Sequence, residues 1–185
     1  MSLLTIDEIR KELDQEFIPL EPLVAGLRLI VGGASISDLS YFENVLGSVL
    51  PSEFRGLIGE YDFGRLTIGP VVFCNNGDYL QELVYFNSAR RWWGAGLRPN
   101  NLLMIANSDP YVIVLDLRDG SVLAMDREFD WRHATRIADR FDFYVRGVGT
   151  MMLRRGLIND VSKLSRSVAE DVKSENLKYW TELAK

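Results

Sequence analysis

Apolar residues at helical spacing predict that the chain begins with a helix. Thr5 can cap the helix, and Glu8 three residues later completes a capping-box pattern. Ile6, Ile9, Leu13 and Phe17 then fall on one face. Pro19 and Pro22 end this pattern, and an apolar segment over residues 23–34 follows as either an edge strand or a packed connector.

Two further helices are predicted in the next thirty residues. The first begins at Ser35 or Ser37 and ends at Gly47, and the second has Pro51 in its first turn. The inward positions are Leu39, Phe42, Val45 and Leu46 in the first helix, and Phe54, Leu57, Ile58 and Tyr61 in the second. The second helix is expected to break at Phe63-Gly64.

The middle of the chain carries the β signals. Residues 65–74 predict a strand that Gly69-Pro70 interrupts, and a helix is expected from Asp78 to Trp93. Strands are then predicted over residues 102–106, 111–117 and 121–125, joined by turns at 108–110 and 118–120. The second of these strands is almost wholly apolar, which indicates a central strand covered on both faces.

Helical patterns return at the C-terminal end. Residues 134–155 repeat apolar side chains at helical spacing, with Gly147 and Gly149 interpreted as helix-packing glycines, and one amphipathic helix is expected from Asp160 onward. The order of elements predicts an α+β fold with an antiparallel meander packed against flanking helices. We divide the chain into an N-terminal helix and connector (1–34), an α+β domain (35–152) and a C-terminal amphipathic helix (153–185).

Composition excludes several function classes. The formal net charge of −5 disfavours electrostatic binding of the whole protein surface to phosphate backbones. The single cysteine and single histidine cannot form a disulfide or the usual structural zinc site. The chain shows no signal-peptide pattern and no apolar run long enough to span a membrane, so we expect a cytoplasmic protein that needs no cofactor.

The order of motifs over residues 35–152 resembles the SUKH superfamily, the Smi/Knr-type domain. The residues that carry this resemblance are Glu43, Leu46-Gly47, Leu50-Pro51, Phe54, Phe63-Gly64, Ile105-Ala106, Leu115-Asp116, Gly120, Val122, Ala138, Phe141 and Tyr144. The chain departs from the family pattern at two loops, where Asp62 precedes Phe63-Gly64 and where Ser108-Asp109-Pro110 replaces a glycine-rich turn.

The resemblance implies protein binding without a catalytic residue set. Bacterial members resemble immunity proteins that neutralise a cognate toxin of a contact-dependent or polymorphic toxin system, and eukaryotic relatives act as interaction modules in cell-wall and signalling regulation. An acidic protein would suit a basic toxin such as a nuclease, because complementary charge speeds encounter. A regulatory scaffold in envelope signalling stays open as the alternative.

Acidic residues around the hairpins keep an enzymatic alternative open. Paired carboxylates can act as acid and base or hold a divalent metal, whereas aspartate is also a common turn residue. The carboxylates are Asp109, Asp116, Asp119, Asp126, Glu128 and Asp130. Their spacing does not match the Ca²⁺ loop, so a metal-dependent hydrolase is the weaker alternative. Neither His133 nor Cys74 lies in a recognisable nucleophile motif.

The two adjacent tryptophans are predicted to have different roles. On the predicted helix Trp93 shares a face with Leu83 and Phe86, which places it in the core, while Trp92 points about 100° away. Trp92 either covers a second edge of the core or forms an exposed patch with Tyr85 and Arg91. Because Trp, Tyr and Arg dominate binding hot spots, the partner-binding hypothesis names Tyr85, Arg91, Trp92, Asp109 and Asp119.

Overall fold

The computed structural model describes residues 2–88, 93, 98–158 and 160–184. The described α-helices are α1 (Ile6–Phe17), α2 (Ile36–Leu46), α3 (Ser52–Glu60), α4 (Tyr79–Ser88), α5 (Phe141–Arg154), α6 (Val161–Asp171) and α7 (Leu177–Leu183). The strands are β1 (Ile30–Val31), β2 (Tyr61–Asp62), β3 (Thr67–Ile68), β4 (Val71–Val72), β5 (Leu102–Ser108), β6 (Tyr111–Asp116), β7 (Val122–Asp126) and β8 (Thr135–Ala138).

The main sheet is an antiparallel meander of six strands in the order β3-β4-β5-β6-β7-β8. A separate two-stranded ribbon pairs β1 with β2. This architecture confirms the predicted α+β class. Every residue of β6 is buried, which also confirms that the apolar run at 111–116 forms a central strand covered on both faces.

Two apolar clusters cover the two faces of the sheet. The larger contains Leu103, Ile113 and Leu115 together with side chains from α2 through α7. The smaller contains Met104 and Val114, with Phe86, Trp93, Leu102, Val112 and Met125. Side chains on β6 alternate between the clusters with the two-residue period of a strand, and a bulge beside Ile105 lets Ile105 and Ala106 both enter the larger one.

The N-terminal helix packs against α5. Thr5 and Glu8 form the predicted capping box. Ile9 lies so close to Gly149 that a Cβ built there would be 2.6 Å from the Ile9 side chain. An ion pair joins Glu12 to Arg154, with 2.6 Å between Oε2 and Nη1. The interpretation of Gly149 as a packing glycine is therefore confirmed.

The C-terminal segment corrects the prediction of one amphipathic helix. Two helices, α6 and α7, are separated by a turn in which Lys173 has a φ of 58°. The turn lies against β8, where the Glu175 N–H donates to the Arg136 carbonyl. The change of direction brings Trp180 over Gly147, where an added Cβ would lie 2.7 Å from the ring, and allows its indole N–H to donate to the Ile137 carbonyl.

The helix predicted over residues 134–155 is wrong in its first part. Residues 135–138 form β8, which pairs with β7, and α5 begins at Phe141 after an extended Arg140. Ile137 and Phe141 are both buried and are four residues apart, so a strand followed by a helix reproduced the apolar spacing of one helix.

Three smaller expectations are also corrected. Val45 is 54% exposed instead of inward, and Tyr61 is buried in β2 after α3 has ended. Trp93 is buried with Phe86 as predicted, but Leu83 belongs to the cluster on the other face of the sheet. Residues 89–92 of the predicted helix lie outside the described residues.

Helix α4 closes the open edge of β5. Among the described residues, β4 pairs with β5 only at Val72 and Asn107, so most of that edge lacks a strand partner. The Asn87 side chain replaces the strand: its Oδ1 accepts from Met104 N at 2.8 Å, and its Nδ2 donates to Met104 O at 2.9 Å. Tyr79 donates its hydroxyl proton to Ile105 O at 2.8 Å. Side chains of α4 thereby bind backbone groups of β5 that could otherwise pair with a strand of another chain.

We expect Asn87→Ala to lower the free energy of unfolding by about 1–3 kcal/mol, because the Met104 N–H and carbonyl lose their partners beside a buried side chain. Chemical denaturation followed by far-UV circular dichroism measures the change. Asn44→Ala, at an exposed position of α2, is the matched control and should stay within about 0.5 kcal/mol of the unmodified protein. Equal effects of the two substitutions would contradict an edge-closing role for Asn87.

Candidate partner-binding groove

A groove with a volume of about 710 Å³ lies between α2 and α4. Its floor consists of buried side chains from α2, α3, α4 and the β2 region: Phe42, Ile58, Tyr61, Phe63 and Tyr79. Its walls are partly exposed apolar side chains from the two helices: Tyr41, Val45, Leu80 and Val84. The groove is thus an apolar surface open to solvent.

The ends of α2 and its buried face determine which of its side chains line the groove. Ser35 caps α2 by accepting from the Asp38 N–H at 3.1 Å, and Gly47 ends it in the left-handed conformation. Leu39 and Phe42 point into the core. Residues 38, 41, 42 and 45 are spaced at i, i+3, i+4 and i+7, so they share the face that lines the groove. Tyr41 is 72% exposed, which leaves a large aromatic ring with its surface available.

The α4 wall is set by the first turn of that helix. The Asp78 side chain accepts from the Gln81 N–H at 3.0 Å, as an N-cap does. Tyr79 and Leu83 are buried in the larger cluster, and this rotation leaves Leu80 and Val84 facing the groove. Val84 is 40% exposed.

Close backbone contacts hold the end of the groove together. The Gly77 N–H donates to the Gly64 carbonyl at 2.8 Å, which joins the loop after β2 to the loop before α4. A Cβ at Gly64 would lie 2.5 Å from the Gly77 oxygen, so only glycine fits there. The Phe63 and Tyr79 rings stack above this junction with 5.4 Å between centroids. The groove therefore has a preformed floor.

The polar groups of the groove are mostly acidic. Asp38, Asp62 and Asp78 line it with exposed side chains. Tyr61 contributes a phenol whose pKa burial, assisted by a hydrogen bond with Glu60, raises to about 12, so it stays neutral at physiological pH. The groove combines an apolar centre with a negative rim.

The residues predicted as a binding set do not all come together. Tyr85 lies on α4 with 60% exposure, next to Val84 but outside the groove lining. Arg91 and Trp92 lie outside the described residues. Asp109 and Asp119 occupy the turns at the two ends of β6, roughly 20 Å apart for a six-residue strand with its turns. One small contact could not include both aspartates.

The hairpin carboxylates are engaged in turns and ion pairs. Asp109 pairs with Arg127 at 3.2 Å, and the Asp119 side chain accepts from the Ser121 N–H at 2.9 Å. Burial alone would raise the pKa of Asp116, but hydrogen bonds from Arg118 and Asn101 lower it below its usual value. Within the described part of the chain, no group of three or more His, Cys, Asp or Glu residues is placed to hold a metal ion.

The surroundings of Cys74 and His133 do not favour nucleophilic chemistry. Burial raises the pKa of the Cys74 thiol, which favours the unreactive protonated form. His133 lies in an exposed 3₁₀ turn. Its Nδ1 is 3.4 Å from an Asp130 oxygen, and its ring is tilted against the Phe129 ring with 5.7 Å between centroids.

Sequence reasoning missed the groove walls, although a signal was present. Leu39 and Phe42 already complete the inward face of α2, yet the helix also carries Tyr41 and Val45, both of them exposed. A second apolar face on a helix that already has one indicates an interaction surface.

The structure defines the chain as an α+β protein built on an antiparallel meander with an open apolar groove at one side. No known family model matches the chain, and no curated protein is significantly similar to it. In the ranges that the structure covers, every helix is too short or too polar to cross a bilayer.

We expect Gly64→Ala to lower the free energy of unfolding by about 1–3 kcal/mol, because its Cβ would collide with the Gly77 backbone. Gly56→Ala is the control: it lies in α3 with open space around it and should raise stability by about 0.5–1 kcal/mol. Urea denaturation measures both. A neutral Gly64→Ala variant would show that the junction of the two loops tolerates displacement.

Proposed function

We propose that this protein is a non-enzymatic binding domain whose protein partner occupies the groove between α2 and α4. The single observation that carries this proposal is the exposure of the groove walls: Tyr41 is 72% exposed and Val45 54% exposed over a buried floor. Apolar side chains clustered at the surface of a folded protein mark contact sites for other macromolecules.

The geometry supports a macromolecular partner better than a small molecule. Small-molecule sites enclose most of the surface of their ligand with buried, convergent side chains. Here the floor is buried, but the walls are open, and the groove lies on the outer faces of two helices. An aromatic ring such as Tyr41 with open space beside it is suited to become the central anchor of a protein interface.

The resemblance of residues 35–152 to the SUKH superfamily makes the proposed function more specific. The protein would act as an immunity protein that neutralises a cognate toxin in the cytoplasm. Neutralisation would be steric, because a preformed surface that covers the toxin needs no chemistry of its own.

Co-expression with the protein encoded by the adjacent upstream reading frame tests the toxin assignment. We expect the two proteins to co-purify, and cells that express the neighbour alone to lose viability. If the neighbour is harmless and does not co-purify, the immunity function is wrong for that pair.

Substitution in the groove tests the binding surface. We expect Val45→Gln to weaken the complex by about tenfold, or about 1.4 kcal/mol, because it removes an apolar contact. The control is Val49→Gln, which makes the same change at a position that is 77% exposed and outside the groove. Both variants should keep the free energy of unfolding within about 0.5 kcal/mol. Isothermal titration calorimetry against the partner gives the affinities, and equal affinities would place the contact elsewhere.

A further inference from the structure

Three acidic side chains that line the groove form no ion pair within 4.0 Å with a described lysine or arginine, although the Arg65 guanidinium lies beside Gly77. Asp38, Asp62 and Asp78 line the groove, and none of them takes part in an ion pair with a described lysine or arginine. Some other carboxylates are paired, as at Arg28, whose guanidinium contacts Asp14 at 2.7 Å and Glu21 at 2.8 Å. The groove is therefore a local concentration of unpaired negative charge.

The fold uses these side chains as hydrogen-bond acceptors, a role that does not require a charged group. Asp78 accepts from Gln81 N at 3.0 Å, and Asp62 accepts from Gly64 N at 2.7 Å. Asp38 accepts from the Ser35 hydroxyl at 2.6 Å. Asparagine offers the same side-chain oxygen and caps helices about as well as aspartate. Negative charge is also favourable at the helix N-termini that carry Asp38 and Asp78, whereas the charge of Asp62 has no such role in local structure.

The charges are also held in place around the apolar walls. The hydrogen bonds tie each carboxylate to its own turn or helix start. A partner that enters the groove would bring its apolar atoms against Tyr41, Val45 and Val84 and would meet these carboxylates at the rim. The carboxylates do not converge as a metal site would, since the described residues contain no group placed to hold a metal ion.

We infer that the groove binds an apolar segment of the partner that carries lysine or arginine beside its apolar side chains. This inference rests on the proposed function and specifies the chemistry of the occupant. Complementary rim charges accelerate association and exclude segments with acidic flanks, while the apolar contacts supply affinity. An acidic groove also repels phosphates, so a nucleic acid does not fit it.

A selection from random 16-residue peptides displayed on phage tests the inference without knowledge of the partner. The immobilised full-length protein should enrich peptides that combine apolar residues with lysine or arginine. Counter-selection on a Tyr41→Ala variant should remove them, because that substitution takes away an apolar wall of the groove. Enrichment of acidic or uncharged peptides, peptides retained by Tyr41→Ala, or no enrichment at all would overturn the inference.

The charge contribution is measured with synthetic copies of the most enriched peptide. We expect Asp62→Asn and Asp78→Asn each to weaken binding by about twofold to fivefold, the range for exposed charge pairs, and the loss should shrink at high salt. Asp171→Asn is the matched control, because it removes the same charge from an exposed position at the end of α6, outside the groove. An equal loss for Asp171→Asn would show that only net charge acts and would overturn the inference.

The outcomes separate this inference from the proposed function. One outcome is that the upstream partner co-purifies, and that Val45→Gln lowers its affinity while Asp62→Asn and Asp78→Asn do not. The groove is then the binding site, but the inference of a cationic occupant is wrong. If no partner co-purifies but the selected peptides bind with the expected charge dependence, the binding chemistry stands and the toxin assignment fails.

Discussion

The burial of β6 on both faces is the constraint on which the rest of the structure depends. A strand covered on both sides needs two apolar layers, and the chain supplies one from its helices and another from Phe86, Trp93 and their neighbours. Helix α4 serves both layers, since Leu83 enters one cluster and Phe86 the other. It also closes the edge of β5 through Asn87. These three tasks fix the rotation of α4, so Leu80 and Val84 are left facing α2 across the groove.

Local signals were sufficient to predict much of the fold. The Thr5 capping box, the hairpin turns and the apolar run of β6 are each encoded within a few residues, and each was found where predicted. Errors arose where the same pattern has two structural solutions. The Ile137–Phe141 spacing suits either one helix or a strand followed by a helix. Pairing of β8 with β7 decides between them, and the local sequence does not specify that pairing.

The groove could not be predicted for a related physical reason. Whether an apolar residue on α2 is inward or exposed depends on which other elements pack there, and the spacing of Val45 is compatible with both. The unpaired state of Asp38, Asp62 and Asp78 likewise depends on where every described cation lies in space. Sequence indicates that carboxylates are present, but only the assembled surface shows which of them have partners.

The residues that carry the SUKH resemblance and those that form the groove walls have different roles in the structure. Leu50, Phe54, Phe141 and Tyr144 are buried in the larger cluster, and so are the apolar members of the other motifs: Phe63, Ile105, Ala106, Leu115, Val122 and Ala138. Such motifs specify packing, and a substitution among them costs stability. The groove walls are exposed, so their substitution changes stability little.

This division separates the residues that hold the shape of the groove from those that form its exposed surface. The groove floor, including Phe63 and Tyr79, belongs to the core and holds the shape of the surface constant. Tyr41, Val45 and the rim carboxylates can vary without loss of the fold, because solvent or an asparagine can replace what they contribute to it. If the groove binds a partner as proposed, its specificity would reside in a few positions that evolve nearly free of folding constraints.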